Sequence, residues 1–210
     1  FENITADHTL DVTFYADENG NNIPDDEEYF TITSSVVPDA SGDNNGSITP
    51  EGETSVQYGH DQSYTFTADT GYTVKAITID GTAVSSGDRE EYRVNGYTFS
   101  YVSGDHTITV EYATDRNGNN IPDDEENHYT VTATAGANGA VDPAGATDMI
   151  EGESLTIEIT PDAGYTVKSL EVDNVEQTTS GESRETFVEN GYTFENITAD
   201  HTLDVTFYAD

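Results

Sequence analysis

The chain repeats itself, and this constrains its fold more than any other feature. The seventeen residues at 1–17, FENITADHTLDVTFYAD, recur without change at 194–210. A shorter period lies within this one, because GYTVK occurs at 71–75 and again at 164–168. Repeats of this kind are typical of tandem modules, and here they indicate a unit of about 95 residues. We expect the chain to be a slice of a longer tandem array.

The repeats predict five segments. Residues 1–16 are interpreted as the closing strand of a preceding module, 17–28 and 115–126 as acidic linkers, and 29–114 and 127–210 as two whole modules.

Apolar and polar residues alternate in the strands that we expect to close each module. The apolar positions are Leu10, Val12 and Phe14 in the leading fragment, Ile108, Val110 and Tyr112 in the first module, and Leu203, Val205 and Phe207 in the second. A period of two with one apolar face is typical of a half-buried antiparallel strand. The phase of the pattern slips after Val74 and Val167, which predicts a β-bulge in each copy.

These signals predict an all-β fold of tandem small β-sandwich modules, Ig-like in architecture and arranged as beads on a string. The dipeptides Asn45-Gly46 and Asn138-Gly139 are expected to form tight turns between strands. Because no segment of 30–113 carries an apolar stripe with a period of 3.6 residues, we expect no helix longer than two turns there.

The charge of the chain excludes several classes of partner. Six Lys and Arg residues face 42 Asp and Glu residues, for a formal net charge of −36. Such a chain repels nucleic acid and the anionic surface of membranes. No apolar run approaches the roughly 18 residues that span a bilayer, so membrane insertion is not expected.

Cysteine is absent, which excludes disulfides and thiolate catalysis.

The order of the strand motifs resembles a known family. A GYTV strand is followed by a variable polar stretch, by YTF, by NITADHTL and by a closing VTF. This pattern is similar to the divergent InlB B-repeats of bacterial and archaeal surface proteins, over 30–113 and 129–209. The resemblance implies tandem stalk or adhesin repeats on an extracellular surface, without enzymatic activity.

The two linkers carry the spacing of a calcium loop. Counted from the first Asp, oxygen-bearing side chains fall at positions 1, 3, 5, 9 and 12, and the backbone carbonyl of position 7 completes the set of an EF-hand. The predicted ligands are Asp17, Asn19, Asn21, Ile23, Asp25 and Glu28 in the first linker and Asp115, Asn117, Asn119, Ile121, Asp123 and Glu126 in the second. The loops resemble those of thrombospondin type 3 repeats. We expect weak Ca²⁺ binding, and the alternative is a solvated acidic linker that binds no particular ion.

Other constellations have simpler explanations. The Asp-His-Thr triplets at 7–9, 105–107 and 200–202 are interpreted as turns entering a strand, because neighbouring strand residues point to opposite faces. Lys75 and Lys168 occupy equivalent positions, where an exposed lysine is favoured over an isopeptide bond to asparagine. The glycosylation sequons are at Asn3, Asn45 and Asn196.

The sequence is compatible with three classes of function. The favoured one is a structural repeat of an extracellular stalk or fibre, stiffened by calcium at its junctions, whose partners are neighbouring copies of itself. The alternative is an adhesin module that binds a glycan or a protein through repeated weak sites. An enzyme has only its abundant carboxylates in its favour.

Overall fold

The structure is a computed structural model that describes residues 5–178 and 181–210, apart from the side chains of 181–183. The chain forms two compact units, Phe1–Ala113 and Thr114–Asp210, and each is described by itself. Within the described ranges, no helix is long and apolar enough to cross a membrane.

The first unit contains eight strands and one helix. In chain order these are β1 (Tyr29–Val37), β2 (Gly46–Thr49), β3 (Gly52–Gln57), β4 (Gln62–Ala68), β5 (Tyr72–Ile79), β6 (Thr82–Ala83), α1 (Ser86–Asn95), β7 (Tyr97–Phe99) and β8 (His106–Thr114). A five-stranded sheet has the order β3-β1-β8-β5-β6, and a three-stranded sheet has the order β2-β4-β7. Ile32 and Ile108 of the large sheet share one core with Ile48, Tyr64 and Phe99 of the small sheet.

The second unit repeats this arrangement. Its elements are β9 (His128–Ala135), β10 (Gly139–Asp142), β11 (Gly145–Ile150), β12 (Leu155–Pro161), β13 (Tyr165–Val172), β14 (Val175–Glu176), α2 (Gly181–Asn190), β15 (Tyr192–Phe194) and β16 (His201–Ala209). The sheets have the orders β11-β9-β16-β13-β14 and β10-β12-β15. Strands account for 47% of the chain and helices for 10%, so the predicted all-β, sandwich-like fold is confirmed.

The closing strands are buried on the predicted face. Ile108, Val110 and Tyr112 in β8 and Leu203, Val205 and Phe207 in β16 are all buried. The predicted bulge is present in β13, where the register with β16 shifts between Val167 and Ser169.

One neighbour of each closing strand differs from the expected antiparallel pairing. β16 is antiparallel to β13 but parallel to β9, and β8 is likewise parallel to β1. A parallel pair needs a long crossover connection. Here the small sheet and the helix lie within that connection, and alternation in the strand itself carries no information about a neighbour's direction.

The expectation that 30–113 contains no helix longer than two turns is wrong, because α1 spans ten residues. It buries no residue fully, so it has no apolar stripe for a sequence pattern to reveal. The helix is stabilised instead by hydrogen bonds at its two ends and by one side-chain hydrogen bond to β5. The Ser85 hydroxyl accepts the Asp88 N–H, Gly96 N donates to the Tyr92 carbonyl, and the Arg89 guanidinium donates to the Lys75 carbonyl at 2.7 Å.

The predicted turns bring a glycine beneath an aromatic ring. Asn45 and Asn138 adopt positive φ values of 57° and 74°. A Cβ atom on the following Gly46 would lie 2.7 Å from the Tyr112 ring and from the Thr67 carbonyl oxygen. Only glycine therefore allows β2 to approach the closing strand so closely.

The leading segment forms no strand over its described residues 5–16. Leu10 is 73% exposed and Phe14 is 89% exposed, whereas their counterparts Leu203 and Phe207 are buried. Residues 1–4, with the Asn3 sequon, lie outside the described part. The assignment of 1–16 to a preceding module stays a prediction.

Candidate metal sites in the acidic loops

The first predicted ligand organises the first loop. The Asp17 carboxylate accepts three backbone N–H groups, from Gly20 at 2.8 Å, Asn21 at 3.1 Å and Asn22 at 3.0 Å. Such Asx-type bonds hold the chain in a tight curl. Asn22 takes a positive φ of 65° in this curl.

Glu28, at position 12, reaches back across the curl. Its two carboxylate oxygens accept the side-chain amides of Asn19 at 2.9 Å and Asn21 at 2.8 Å. The amide oxygens of these asparagines accept the N–H groups of Asn21 and Ile23. Four of the predicted ligands, at positions 1, 3, 5 and 12, therefore belong to one hydrogen-bonded ring.

Asp25, at position 9, closes the loop from the other side. Its carboxylate accepts the Glu18 N–H at 3.1 Å, and its own N–H donates to the Ala16 carbonyl at 2.9 Å. Ile23, whose carbonyl was expected as a ligand, is 45% exposed.

The second loop adopts the same arrangement. Asp115, only 5% exposed, accepts the N–H groups of Asn119 and Asn120 at 3.1 and 3.0 Å. The Glu126 carboxylate accepts the amides of Asn117 at 3.0 Å and Asn119 at 2.6 Å. The two loops share one sequence motif, and each forms the same hydrogen-bonded ring.

The oxygen atoms of these loops are of the types that bind a hard cation, but their present arrangement fits one only in part. Carboxylate, amide and carbonyl oxygens are the ligands that Ca²⁺ prefers, at a coordination number of six to eight. Among the described residues, no group of three or more His, Cys, Asp or Glu side chains is placed to hold a metal. Calcium would therefore depend on asparagine and backbone oxygens, and the amides that now donate to Glu28 and Glu126 would have to turn their oxygens inward.

Sequence reasoning missed Arg116, which docks the second loop onto its own unit. Its Nε atom lies 3.3 Å from Asp123, at position 9, and 3.8 Å from Glu153, and its Nη2 atom lies 3.7 Å from Asp148. Asp123 is 7% exposed and also accepts the Arg116 N–H at 2.9 Å. A guanidinium thus already neutralises part of this acidic site. Its presence inside the motif, in a chain with only six basic residues, was the available signal.

His128 joins the same cluster. Its Nδ1 atom lies 3.0 Å from the Asp148 carboxylate and its Nε2 atom lies 3.0 Å from the Asp123 carbonyl oxygen. Hydrogen bonds to Asp148 and then to the Asp123 carbonyl raise the pKa of His128 above its ordinary value.

The first loop is docked by a tyrosine instead. The Tyr101 hydroxyl donates to the Glu18 carboxylate at 2.5 Å, and the Gln57 amide donates to the Asp25 carbonyl at 3.5 Å. The hydrogen bond to Glu18 raises the pKa of Tyr101, because ionisation would place two negative charges side by side. Glu18 and Arg116 occupy the same loop position with opposite charge, so the two loops differ in how they meet their units.

The Asp-His-Thr triplets make separate structural contacts. His106 Nδ1 lies 2.7 Å from Asp80, whereas Asp105 accepts the Thr31 N–H at 2.8 Å. His201 and Asp200 make the same two contacts in the second unit, with Asp173 and Thr130. In each unit the histidine contacts the turn that follows β5 or β13, and the aspartate contacts the first strand, β1 or β9. Both contacts connect these elements to the start of the closing strand.

The remaining candidates lie on the surface. Lys75 Nζ is 3.6 Å from the Glu111 carboxylate, and both side chains are more than a third exposed, as in an ordinary surface ion pair. Lys168 and Asn196 are exposed, and the Asn45 amide donates to Asp39 at 2.8 Å.

Comparison with known proteins agrees with the strand pattern. No curated protein and no solved structure matches the chain. The family model of the Divergent InlB B-repeat domain matches residues 129–188, which extend from β9 into α2. The resemblance of the loops to thrombospondin type 3 repeats stays a prediction. Over residues 129–188 the chain therefore matches the family that its sequence pattern predicted, the divergent InlB B-repeat domains.

Proposed function

We propose that the chain is a non-catalytic structural repeat of an extracellular stalk or fibre on a bacterial or archaeal cell surface, with calcium bound at its acidic loops. The match to a family of surface repeat domains supports the repeat, the surface location and the lack of catalysis. The internal repetition supports an array, because a stalk gains reach from each added module.

The single observation that supports the calcium proposal is the hydrogen-bonded ring that is present in both acidic loops. In both loops the residue at position 12 reaches the asparagines at positions 3 and 5, and the Asp at position 1 curls the chain beneath them. The side chains that would ligate the ion are thus close together before the ion arrives, although the asparagine amides must still turn their oxygens inward. Gathering the chain in advance lowers the entropy lost on binding.

Electrostatics explains why an ion would matter mechanically. Residues 17–28 contain six carboxylates and no basic residue. Like charges at this density repel one another and favour an extended linker. A bound Ca²⁺ cancels part of the charge and stabilises the closed ring, so that the linker becomes stiffer.

The experiment measures stiffness and binding together. Calcium titration by calorimetry should reveal weak sites, and electron microscopy of tandem copies should show a longer persistence length with calcium than with a chelator. The double variant Asp17→Ala/Glu28→Ala should abolish both effects at the first loop. The matched control, Asp43→Ala/Glu51→Ala, removes two exposed acidic residues of the same unit outside the loop. Equal stiffness under all conditions, without bound calcium, would reduce the loops to acidic spacers.

We also propose that neighbouring copies interact through the repeated strand. Residues 1–17 have the sequence of the segment that contains β16, and in this chain Leu10 and Phe14 are exposed. A chain that ends at residue 193 lacks β16. Adding a peptide of residues 1–17 should restore the second unit, as measured by its amide chemical shifts, whereas a peptide with Leu10→Asp should fail. If neither peptide has an effect, the strand is not transferable.

The adhesin alternative is distinguished by avidity. A repeated weak site for a glycan or protein gains affinity steeply when modules are joined, whereas a spacer does not. Binding of single and tandem chains to a glycan array tests this. Retention that rises with copy number favours an adhesin, and uniform absence of retention favours a stalk.

A further inference from the structure

An aromatic and acidic pocket lies beside the first loop, within the first unit. It has a volume of about 400 Å³, and its walls include Tyr15, Asp25, Asp26, Tyr58 and His60. We call it the loop-one pocket. Tyr15 is 60% exposed, and Asp26 and His60 are exposed, so the pocket is open to a small ligand.

The ring of Tyr58 is held in place by other aromatic residues. Tyr101 meets it edge-on, with ring centroids 5.6 Å apart and planes at 70°, and Phe30 lies 6.3 Å away on a tilt. Tyr101 is fixed in turn by its hydroxyl, which donates to Glu18 at 2.5 Å. The wall of the pocket is therefore preorganised.

Tyr101 holds this position at a conformational cost. Its φ is +52°, in the left-handed region that bulky side chains rarely adopt. The second unit has Asn196 at the equivalent place, with a φ of +50°, and asparagine tolerates that conformation well. Strain of this kind persists where the surroundings impose it, and it is concentrated at functional sites.

The fold does not require these side chains. The residues that follow β3 are Tyr58, Gly59 and His60, and those that follow the equivalent β11 are Glu151, Gly152 and Glu153. The second unit forms the same sheets with acidic residues at both places. The aromatic wall is thus a property of the first unit rather than of the module.

Charge determines what the pocket attracts. The faces of tyrosine rings attract cations, and aromatic walls are a recurrent means of recognising quaternary ammonium groups. Asp25 and Asp26 stand in the same pocket, on a chain with a net charge of −36. Both the rings and the carboxylates therefore favour a positively charged ligand.

The wall of the pocket combines aromatic rings, from Tyr15 and Tyr58, with the carboxylates of Asp25 and Asp26. The charge of a methylated ammonium is spread over methyl groups that pack against aromatic rings, and the ion needs no hydrogen-bond acceptor. We propose that the loop-one pocket binds a quaternary ammonium group.

The test is an NMR titration of the 210-residue chain with tetramethylammonium and with choline, at fixed ionic strength and in the presence of a chelator. The chelator makes the result independent of calcium. Shifts confined to residues around the pocket, saturating at millimolar ligand, are expected. The neutral isostere 3,3-dimethylbutan-1-ol should bind more weakly, because it lacks the positive charge. Equal or tighter binding of this isostere would overturn the proposal, as would an equal response to sodium.

Variants separate the ring from the charge. Tyr58→Leu should weaken tetramethylammonium binding by about fivefold or more, and Tyr58→Phe should retain it, because the ring face provides the attraction. Asp26→Asn changes an exposed carboxylate outside the predicted calcium ligands and should also weaken binding. Tyr208→Leu removes a part-exposed tyrosine of the second unit and should have no effect. Unchanged affinity in Tyr58→Leu and Asp26→Asn, both with native amide spectra, would refute the site.

Discussion

The guanidinium of Arg116 lies 3.3 Å from the carboxylate of Asp123, inside a loop where a calcium ion was expected to lie. A fixed cation and a bound metal compete for the same negative charge. The first loop has Glu18 at this position, so the two loops should differ in calcium affinity even though ten consecutive residues of their motif are identical.

Exchanging these two charges tests the difference. We expect Arg116→Glu to strengthen calcium binding at the second loop and Glu18→Arg to weaken it at the first, each by about fivefold or more. One pair of unit charges about 4 Å apart interacts by about 1 kcal/mol in water, and here the side-chain charge changes by two units beside a divalent ion. Calorimetry should be carried out with the other loop silenced by Asp17→Ala or Asp115→Ala. If each loop binds calcium equally well with its own residue and with the exchanged one, the charge at residue 18 or 116 does not influence the site.

The second prediction concerns His128. Its pKa is raised by Asp148, so the folded state favours the protonated ring. The resulting stabilisation is fully present below the ordinary value of about 6.5 and is lost as the pH rises through the raised pKa. We expect Asp148→Asn to lower the pKa of His128, as followed by the NMR shifts of its ring protons. Glu158→Gln, an exposed change in the same unit, should leave it unaltered. If the pKa of His128 is the same in Asp148→Asn as in the unaltered chain, the hydrogen bond between His128 and Asp148 is contradicted.

The third prediction concerns the glycine under the closing strand. Gly46→Ala should destabilise the first unit by about 1–3 kcal/mol, because the added methyl group meets the Tyr112 ring and a backbone oxygen that cannot move far. Gly104→Ala is the control, since a Cβ there meets nothing within 4 Å. Chemical denaturation, followed by amide signals of the first unit, measures both. A small effect of Gly46→Ala would mean that β2 can shift away from β8.

The fourth prediction concerns α1. Replacing its N-cap by Ser85→Ala should cost about 1 kcal/mol, because the Asp88 N–H loses its acceptor. Ser85→Asn restores a capping side chain and should recover most of the loss. Hydrogen exchange of the α1 amides reports the change locally. Unaltered protection in Ser85→Ala would show that packing of Tyr92 on the core suffices to hold the helix.

Strand positions were predictable because the required information is local. In β8 and β16 every second residue faces the core, so the alternation of Ile108, Val110 and Tyr112 directly encodes which face is buried. The helix α1 escaped prediction for the converse reason. Its fully described residues bury no side chain completely, and its cap and its Arg89 contact leave no periodic trace.

The loops divide in the same way between sequence and tertiary structure. The spacing of Asp17, Asn19, Asn21 and Glu28 is a property of twelve consecutive residues, and their hydrogen-bonded ring forms among themselves. The partners that dock the loops come from far along the chain. Tyr101 is 83 residues from Glu18. Of the two residues that meet Arg116, Asp148 lies in β11 and Glu153 follows that strand. The sequence by itself determined where oxygen atoms gather. Only the pairing of distant strands decided which charges and rings surround them, because side chains so far apart in the chain meet through the register of the sheets.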